Sequence, residues 1–346
     1  MSDSGTTQFG RYVLLKRVSV GGTSMVYQAL DEAPVIPRTV ALKRLLEHCA
    51  EDDEFIDKFL RKARLLMVLG HANVVRVVDI GAVDGVYFLA TEWVDGHLLS
   101  DMQRRVLSRG MKWLPAPIAV SIAIDICRGL HAVHTLRDEQ GRPAEFLYRN
   151  IAPNEVLVSF EGEVKVLEFC TSHYLSYATQ RQVGILRPKL QYISPEQVMG
   201  AALDARSDVY VTGLVLYRML CGELPFGVES DFQALDAIRK GQLTPVRQNN
   251  PSLDEDLARI LQRTLKTSPE DRYPSAKALA QALSEWMRAH APAFRADTRR
   301  HWMSWLYEEE LARRGPTPPL PPAFLEQLRA WRAAALSVSP SPPAVR

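Results

Sequence analysis

The stretch YRNIAPNEVLV (residues 148–158) follows a long apolar helical segment and leads into a pair of short strands. A loop that serves phosphoryl transfer carries acidic, basic and amide groups, because that reaction is catalysed by positioning and charge neutralisation. Here the acid position holds Asn150, the basic position Ala152 and the amide position Glu155. The stretch poses a choice between an enzyme and an enzyme's fold put to another use. The cysteines offer no rival chemistry. Cys49, Cys127, Cys170 and Cys221 are scattered, with neither CxxC spacing nor paired histidines, which argues against a zinc centre or a disulfide framework and suits a reducing cytosol.

The elements that must carry this loop are legible from periodicity. Through the first ninety residues, β-branched runs alternate with turns: YVLLKRVSV, TSMVYQAL, RTVALKRL, VVRVVDIGAV and VYFLATEWV. One helix interrupts them, DDEFIDKFLRKARLLMVLG, with Phe55, Phe59, Ala63, Leu66 and Leu69 on a single stripe. From about residue 98 the pattern turns helical, with helices expected over 115–136, 206–222, 231–240, 253–265 and 275–290. A strand pair, EVLVSF and EVKVLEF, falls between the first two. Five strands with one helix, then a helical half bearing a small hairpin, describe a bilobal α+β architecture.

Beyond Ala291 the composition changes. FRADTRRHWMSWLYEEELARR (294–314) reads as a helix bearing Trp302, Trp305 and Leu306, and GPTPPLPP (315–322) as a stiff extended linker. AFLEQLRAWRAAAL (323–336) reads as a second amphipathic segment, and SVSPSPPAVR (337–346) as a flexible tail.

The bulk properties narrow the class. The 346 residues suffice for two lobes, and 47% hydrophobic with 24% charged residues is the composition of a soluble globular protein. A net charge of +2 gives no argument for nucleic acid or a membrane surface. The beginning, MSDSGTTQFG, is polar, and the most apolar run, PIAVSIAIDICRGLHAVH, contains Asp125 and Arg128 at helical spacing, so the expectation is a buried helix rather than a membrane span. Cytoplasmic location is expected.

Several ordered marks now converge. RYVLLKRVSVGGTSMVYQAL resembles a glycine-rich loop between two strands, VALK the third-strand motif that supplies Lys43, and LATEWVDG a hinge with Thr91 at the gatekeeper place. HANVVRVVDIG, YISPEQ, RSDVYVTGLVLYRMLCGELPF and PEDRYPSA complete the set. Over about residues 10–290 the chain resembles the bacterial eukaryotic-like (Hanks-type) Ser/Thr protein kinases. The resemblance implies an N-lobe over about 10–93, a C-lobe over about 97–290, and an extension over 291–346.

The chemistry it implies must be taken residue by residue, because a fold does not confer activity. The family's histidine-arginine-aspartate stands here as Tyr148-Arg149-Asn150. An amide accepts no proton at neutral pH, and loss of a general base costs about 10²–10⁴ in rate, roughly 3–5 kcal/mol of barrier. Ala152 replaces the lysine that touches the transferred phosphate. Glu155 replaces the asparagine, and Glu168 in LEFC the aspartate, that hold magnesium in the family; the 18-residue separation of Asn150 and Glu168 supports this register. Glutamate is one methylene longer than aspartate, and magnesium tolerates little departure from octahedral geometry. Cys170 removes the glycine of that turn.

Counting from Lys43, the helical position that supplies its glutamate is Lys62. Two cations about 4 Å apart repel by roughly 4 kcal/mol at an effective dielectric near a surface. The expectation is that Lys43 pairs with Glu168 instead and that the helix swings outward. In SVGGTS, Ser19 and Ser24 replace two of the family's three loop glycines, while Gly21 remains. What could persist is an adenine enclosure from Gly21, Val26, Ala41, Lys43, the Glu92–Val94 hinge backbone and Leu157, since apolar walls and backbone groups suffice there.

Arg149, Glu196, Asp208 and Arg272 have scaffolding roles in the family, so a well-folded C-lobe is expected. Thr171, Ser172, Ser176 and Thr179 are candidate phosphoacceptors. Trp302 and Trp305 could face a partner or cover the C-lobe. The expectation is a pseudokinase that binds a protein partner, either an active kinase or a signalling or assembly protein, with no catalytic residues, no metal, no nucleic acid and no required cofactor. The alternatives are a nucleotide sensor without turnover, holding ATP or magnesium weakly, and a weak atypical phosphotransferase that uses Glu155 and Glu168 for metal.

Overall fold

In the computed structural model, which describes residues 7–336 apart from 34, 139, 145, 150, 168–190, 228 and 229, the β-branched runs pair into one antiparallel sheet. Its strands are β1 (Thr7–Phe9), β2 (Tyr12–Val20), β3 (Ser24–Asp31), β4 (Arg38–Leu45), β5 (Val77–Val83) and β6 (Val86–Glu92), in the order β1-β2-β3-β4-β6-β5. Residues directly opposite on neighbouring strands share a face. The register Tyr27↔Leu42↔Ala90 and the partners Ala29↔Val40 place one face on an apolar cluster of Phe9, Tyr12, Leu14, Ala29, Val40, Leu42, Phe88 and Ala90.

Two helices, α1 (Glu47–Ala50) and α2 (Asp53–Met67), join this unit. The Asp52 carboxylate caps α2 by accepting from the Phe55 backbone N–H, and the stripe Phe55, Phe59, Ala63 and Leu66 is buried as its spacing required. Leu69, placed on that stripe by sequence, lies beyond the last helical turn and is half-buried.

The second unit spans Gly96–His134, Phe146–Val166 and Arg187–Arg346. It contains β7 (Gly96–Leu98), α3 (Leu99–Ser108), α4 (Ala116–His134), β8 (Val156–Ser159), β9 (Val164–Val166), α5 (Pro195–Val198), α6 (Ala205–Cys221), α7 (Asp231–Lys240), α8 (Val246–Asn249), α9 (Glu255–Thr264) and α10 (Ala276–His290). The expected helices are present within a residue or two of their periodic boundaries. Helices α4 and α6 form the interior, and each is apolar nearly all round, as a core helix must be. Helix α4 is long and apolar enough to cross a membrane, but its side chains are largely buried within this unit. Its Asp125 pairs with Arg128 at 2.8 Å and Arg299 at 2.6 Å.

The extension departs from expectation in two ways. The single helix expected over 294–314 is two, α11 (Thr298–Leu306) and α12 (Glu308–Arg314), with the break at Tyr307. The Tyr307 ring is buried against His97, and Glu308, Glu309 and Glu310 supply the negative charge that favours a fresh helix N-terminus. After the proline run, α13 (Pro322–Leu336) starts with proline at its first position.

Of the two alternatives for Trp302 and Trp305, facing a partner or covering the C-lobe, their burial favours the second. They are 1% and 8% exposed, inside the same compact unit as the C-lobe helices. Large aromatic area is removed from water most completely by packing, and Trp302 does so beside Trp305, at 5.0 Å, and Trp331, at 6.2 Å.

Candidate functional site

In the sheet unit, the register Val26↔Lys43↔Leu89 and Gln28↔Ala41↔Thr91 puts Val26, Ala41, Lys43 and Thr91 on one face, opposite the apolar cluster. Of the enclosure residues expected from sequence, Val26, Ala41 and Lys43 thus share this face, whereas Glu92 stands opposite Val40 on the face of the apolar cluster. Gly21 lies at the β2–β3 turn, where its N–H donates to Ser24 O at 2.8 Å. A Cβ at Gly21 would meet only Ser24 O, at an ordinary 3.6 Å, so the turn itself does not require glycine there. Glu92 ends β6 and donates its N–H to Arg76 O, and Val94 follows it, half-buried. Lys62 is half-buried on α2, beside the buried Ala63.

In the helical unit, the loop that opens at Tyr148 is anchored rather than free. Asp208, fully buried near the start of α6, accepts from the backbone N–H of Tyr148 at 2.8 Å and of Arg149 at 2.6 Å, with His134 Nε2 at 2.7 Å. A buried carboxylate is tolerated only when its oxygens are occupied in this way. Arg149 holds φ +66, a left-handed conformation that is uncommon for a residue other than glycine. Gln197 Nε2 donates to Arg149 O at 2.7 Å and fixes the loop's other side, while Gln197 and Ser194 close the capping box of α5.

The second anchor is the Glu196–Arg272 pair. Both Arg272 terminal nitrogens reach Glu196 oxygens at 2.8 Å, and its remaining donors reach the carbonyls of Lys266, Arg206 and Thr267. The guanidinium lies 4.8 Å from the Tyr210 ring centroid, and Ser207 Oγ donates to Glu196 at 2.6 Å. Burial alone would raise the Glu196 carboxyl, but the hydrogen bonds from Arg272 and Ser207 outweigh it and hold that group below the usual carboxylate range.

Between these anchors the chemical positions differ in kind. Ala152 is 2% exposed, a packed methyl between Ile151 and Pro153, and it presents no charge. Glu155 is half-buried at the end of a single 3₁₀ turn, its N–H donating to Ala152 O at 2.8 Å. Leu157 lies on β8, opposite Leu98 on β7 and Lys165 on β9. Asn150, Glu168, Cys170, Thr171, Ser172, Ser176 and Thr179, with the tail 337–346, fall outside the described residues, as does the expected Lys43–Glu168 pairing. Among the described residues, Cys49, Cys127 and Cys221 are free thiols, and burial pushes each of them up, away from reactivity.

Sequence reasoning missed His134 and Gln197 as anchors of the loop. A histidine inside the apolar run GLHAVH was the available signal for the first. It also missed the second partner of Asp125, Arg299, which joins Arg128 of the same helix.

Comparison with known proteins agrees with this architecture. The family model for the protein kinase domain matches residues 12–285. The chain is 34% identical over 283 residues to the tyrosine-protein kinase MasK of Myxococcus xanthus, covering 82% of this chain and 44% of that protein. It is 30% identical over 316 residues to the serine/threonine-protein kinase PknL of Mycobacterium tuberculosis, covering 88% and 74% respectively. The chain thus spans less than half the length of MasK. Among solved structures, the kinase domain of Mycobacterium tuberculosis PknI superposes with a TM-score of 0.60 at 26% identity, covering 82% of this chain and 99% of that one. With its antiparallel N-lobe sheet, its helical C-lobe and a matched domain of this extent, the chain belongs to the protein kinase family.

Proposed function

We propose that this family member is a pseudokinase, a bilobal kinase fold that acts by binding a protein partner as a scaffold or allosteric regulator instead of transferring phosphate. The observation that carries the reading is Ala152, a buried methyl in an anchored loop at the position where the family presents a lysine to the phosphate. Asn150 in place of the base, Glu155 and Glu168 in place of the metal ligands, and Lys62 in place of the lysine's glutamate support it. Each alone is a modest change; together they remove the base, the phosphate contact and the clamp that phosphoryl transfer requires. The partner is an active kinase or a signalling or assembly protein, and the buried, unreactive thiols favour a cytoplasmic setting.

The test is phosphate transfer from radiolabelled ATP with magnesium or manganese to serine, threonine and tyrosine peptides, with Lys43→Ala as control. No label above that control is expected; repeated turnovers by the wild-type chain would end this reading. The relatives are named kinases, and label lost on Lys43→Ala would favour a phosphotransferase built on Glu155 and Glu168.

A nucleotide sensor without turnover is the second reading. It is favoured by the shared face of Val26, Ala41, Lys43 and Thr91, and by a glycine at position 21 that the turn itself does not require. A thermal-shift titration with ATP, with and without magnesium, separates sensor from pure scaffold.

A further inference from the structure

Helices α11 and α12 lie beyond the matched kinase domain, yet they grip the C-lobe unit at two built contacts. At the first, Arg299 reaches Asp125 at 2.6 Å, Ser121 O at 3.1 Å and Gly162 O at 2.7 Å. The approach there is close. Gly162 has φ +82, and a Cβ on it would lie 2.7 Å from the Arg300 backbone nitrogen.

At the second, the His97 ring stacks on Tyr307 with centroids 4.0 Å apart and planes at 6°, and meets the edge of Phe160 at 5.5 Å. His97 Nε2 lies 2.8 Å from Glu310 Oε2, which needs an N–H on that nitrogen. Arg314 pairs with Glu310 at 2.6 Å and lies 4.8 Å from the Phe160 centroid, while Arg105 of α3 donates to Leu306 O.

What this second contact holds is a short strand. His97 is the middle residue of β7, which has three residues and, among the described residues, pairs with β8 alone. Three residues of ladder on one edge are a weak attachment by themselves. The fit is also tight, since a Cβ on Gly96 would lie 2.2 Å from Val158 O. The next register position, Leu98↔Leu157, carries the residue expected to wall the nucleotide enclosure. In the chain, β7 follows the Glu92–Val94 hinge directly.

We propose that the C-terminal extension is an intramolecular clamp that positions the post-hinge strand β7, and through it Leu157, by holding His97 between the Tyr307 ring and the Glu310 carboxylate. A partner that draws α11 and α12 away would then loosen the β7–β8 ladder without touching the hinge. Tyr307 is a positioning residue here. Among the described residues its buried hydroxyl has no hydrogen-bond partner, so the ring carries its role. The consequence for nucleotide binding rests on the sensor reading; the clamp itself does not.

The experiment is hydrogen exchange on the full chain, comparing wild type, Tyr307→Ala, Tyr307→Phe and Glu310→Gln. Tyr307→Ala is expected to speed exchange over residues 96–98 and 156–159 by about tenfold, the scale of a lost aromatic stack, while α6 stays protected. Glu310→Gln is expected to give a smaller rise of about threefold at the same amides. Tyr307→Phe is expected to exchange as wild type does. Unchanged exchange at residues 96–98 in Tyr307→Ala overturns the clamp, and so does a rise in Tyr307→Phe equal to that in Tyr307→Ala. If Tyr307→Ala loses protection throughout the unit, Glu310→Gln decides, and the absence of a selective rise there overturns the proposal as well. In parallel, the Kd of a fluorescent ATP analogue should weaken about threefold to tenfold in Tyr307→Ala and not in Tyr307→Phe. A wild-type chain that binds no analogue defeats the sensor reading and leaves the exchange result to judge the clamp.

Discussion

Two groups of residues sit side by side in the C-lobe unit and meet opposite demands. Glu196, Arg272 and Asp208 are buried charges held by hydrogen bonds of 2.6–3.0 Å, and a loop in a strained backbone conformation hangs from them. A few residues away, Ala152 offers a methyl and Glu155 a carboxylate where kinases present a lysine and an amide. On the pseudokinase reading proposed above, the scaffold that places a catalytic loop and the groups that do its chemistry are separable, and this chain keeps the first while altering the second. Buried charge explains why. Removing one partner of a buried pair leaves an uncompensated ion, a penalty on folding itself, whereas losing a lysine at position 152 leaves nothing unsatisfied.

The sharpest way to break this comparison is to attack the scaffold. Arg272→Met should lower unfolding free energy by about 3–5 kcal/mol, read by urea denaturation, because it strands Glu196 away from water. A loss near zero would mean that the pair is not structural. The pH dependence follows from Glu196. Its carboxyl is held below the ordinary value, so its contribution is fully present above the unfolded-state value of about 4.3 and is lost as pH falls through the lower folded value. Glu196→Gln should flatten the acid limb of the stability curve in that window.

Next in size, Asp208→Asn should cost about 1.5–3 kcal/mol, since an amide cannot accept from both Tyr148 and Arg149 while facing His134. Asp52→Ala should remove the N-cap of α2 at about 1 kcal/mol, a measure of how modest a surface cap is beside a buried charge. The smallest expected effect is at the chemical positions. Asn150→Asp restores a carboxylate alone, and peptide phosphorylation should rise by less than about tenfold, because Ala152 and Lys62 still withhold their contacts.

Periodicity made the sheet, its helix and the main C-lobe helices readable, because those elements are set by which faces are apolar. The enclosure residues Val26, Ala41 and Lys43 were readable for the same reason, since strands two residues in period put them on one face. What sequence could not supply were partners brought from far along the chain. Asp125 finds Arg128 within its own helix, but its second cation, Arg299, lies 174 residues away, and the docked extension brings it there. The break at Tyr307 is of the same kind, since EEEL following an aromatic residue is good helix until a ring on another element claims that aromatic side chain. Trp302 and Trp305 looked available to a partner because a helical stripe says which residues are buried, not against what.

Half of the chain's six tryptophans, Trp302, Trp305 and Trp331, gather in the extension with ring centroids 5.0 and 6.2 Å from Trp302. Indoles this near one another couple optically, and their shared near-ultraviolet dichroism and emission report on a single patch of the protein. The molecule therefore carries its own label for docking of its last helices, readable in solution without adding a dye.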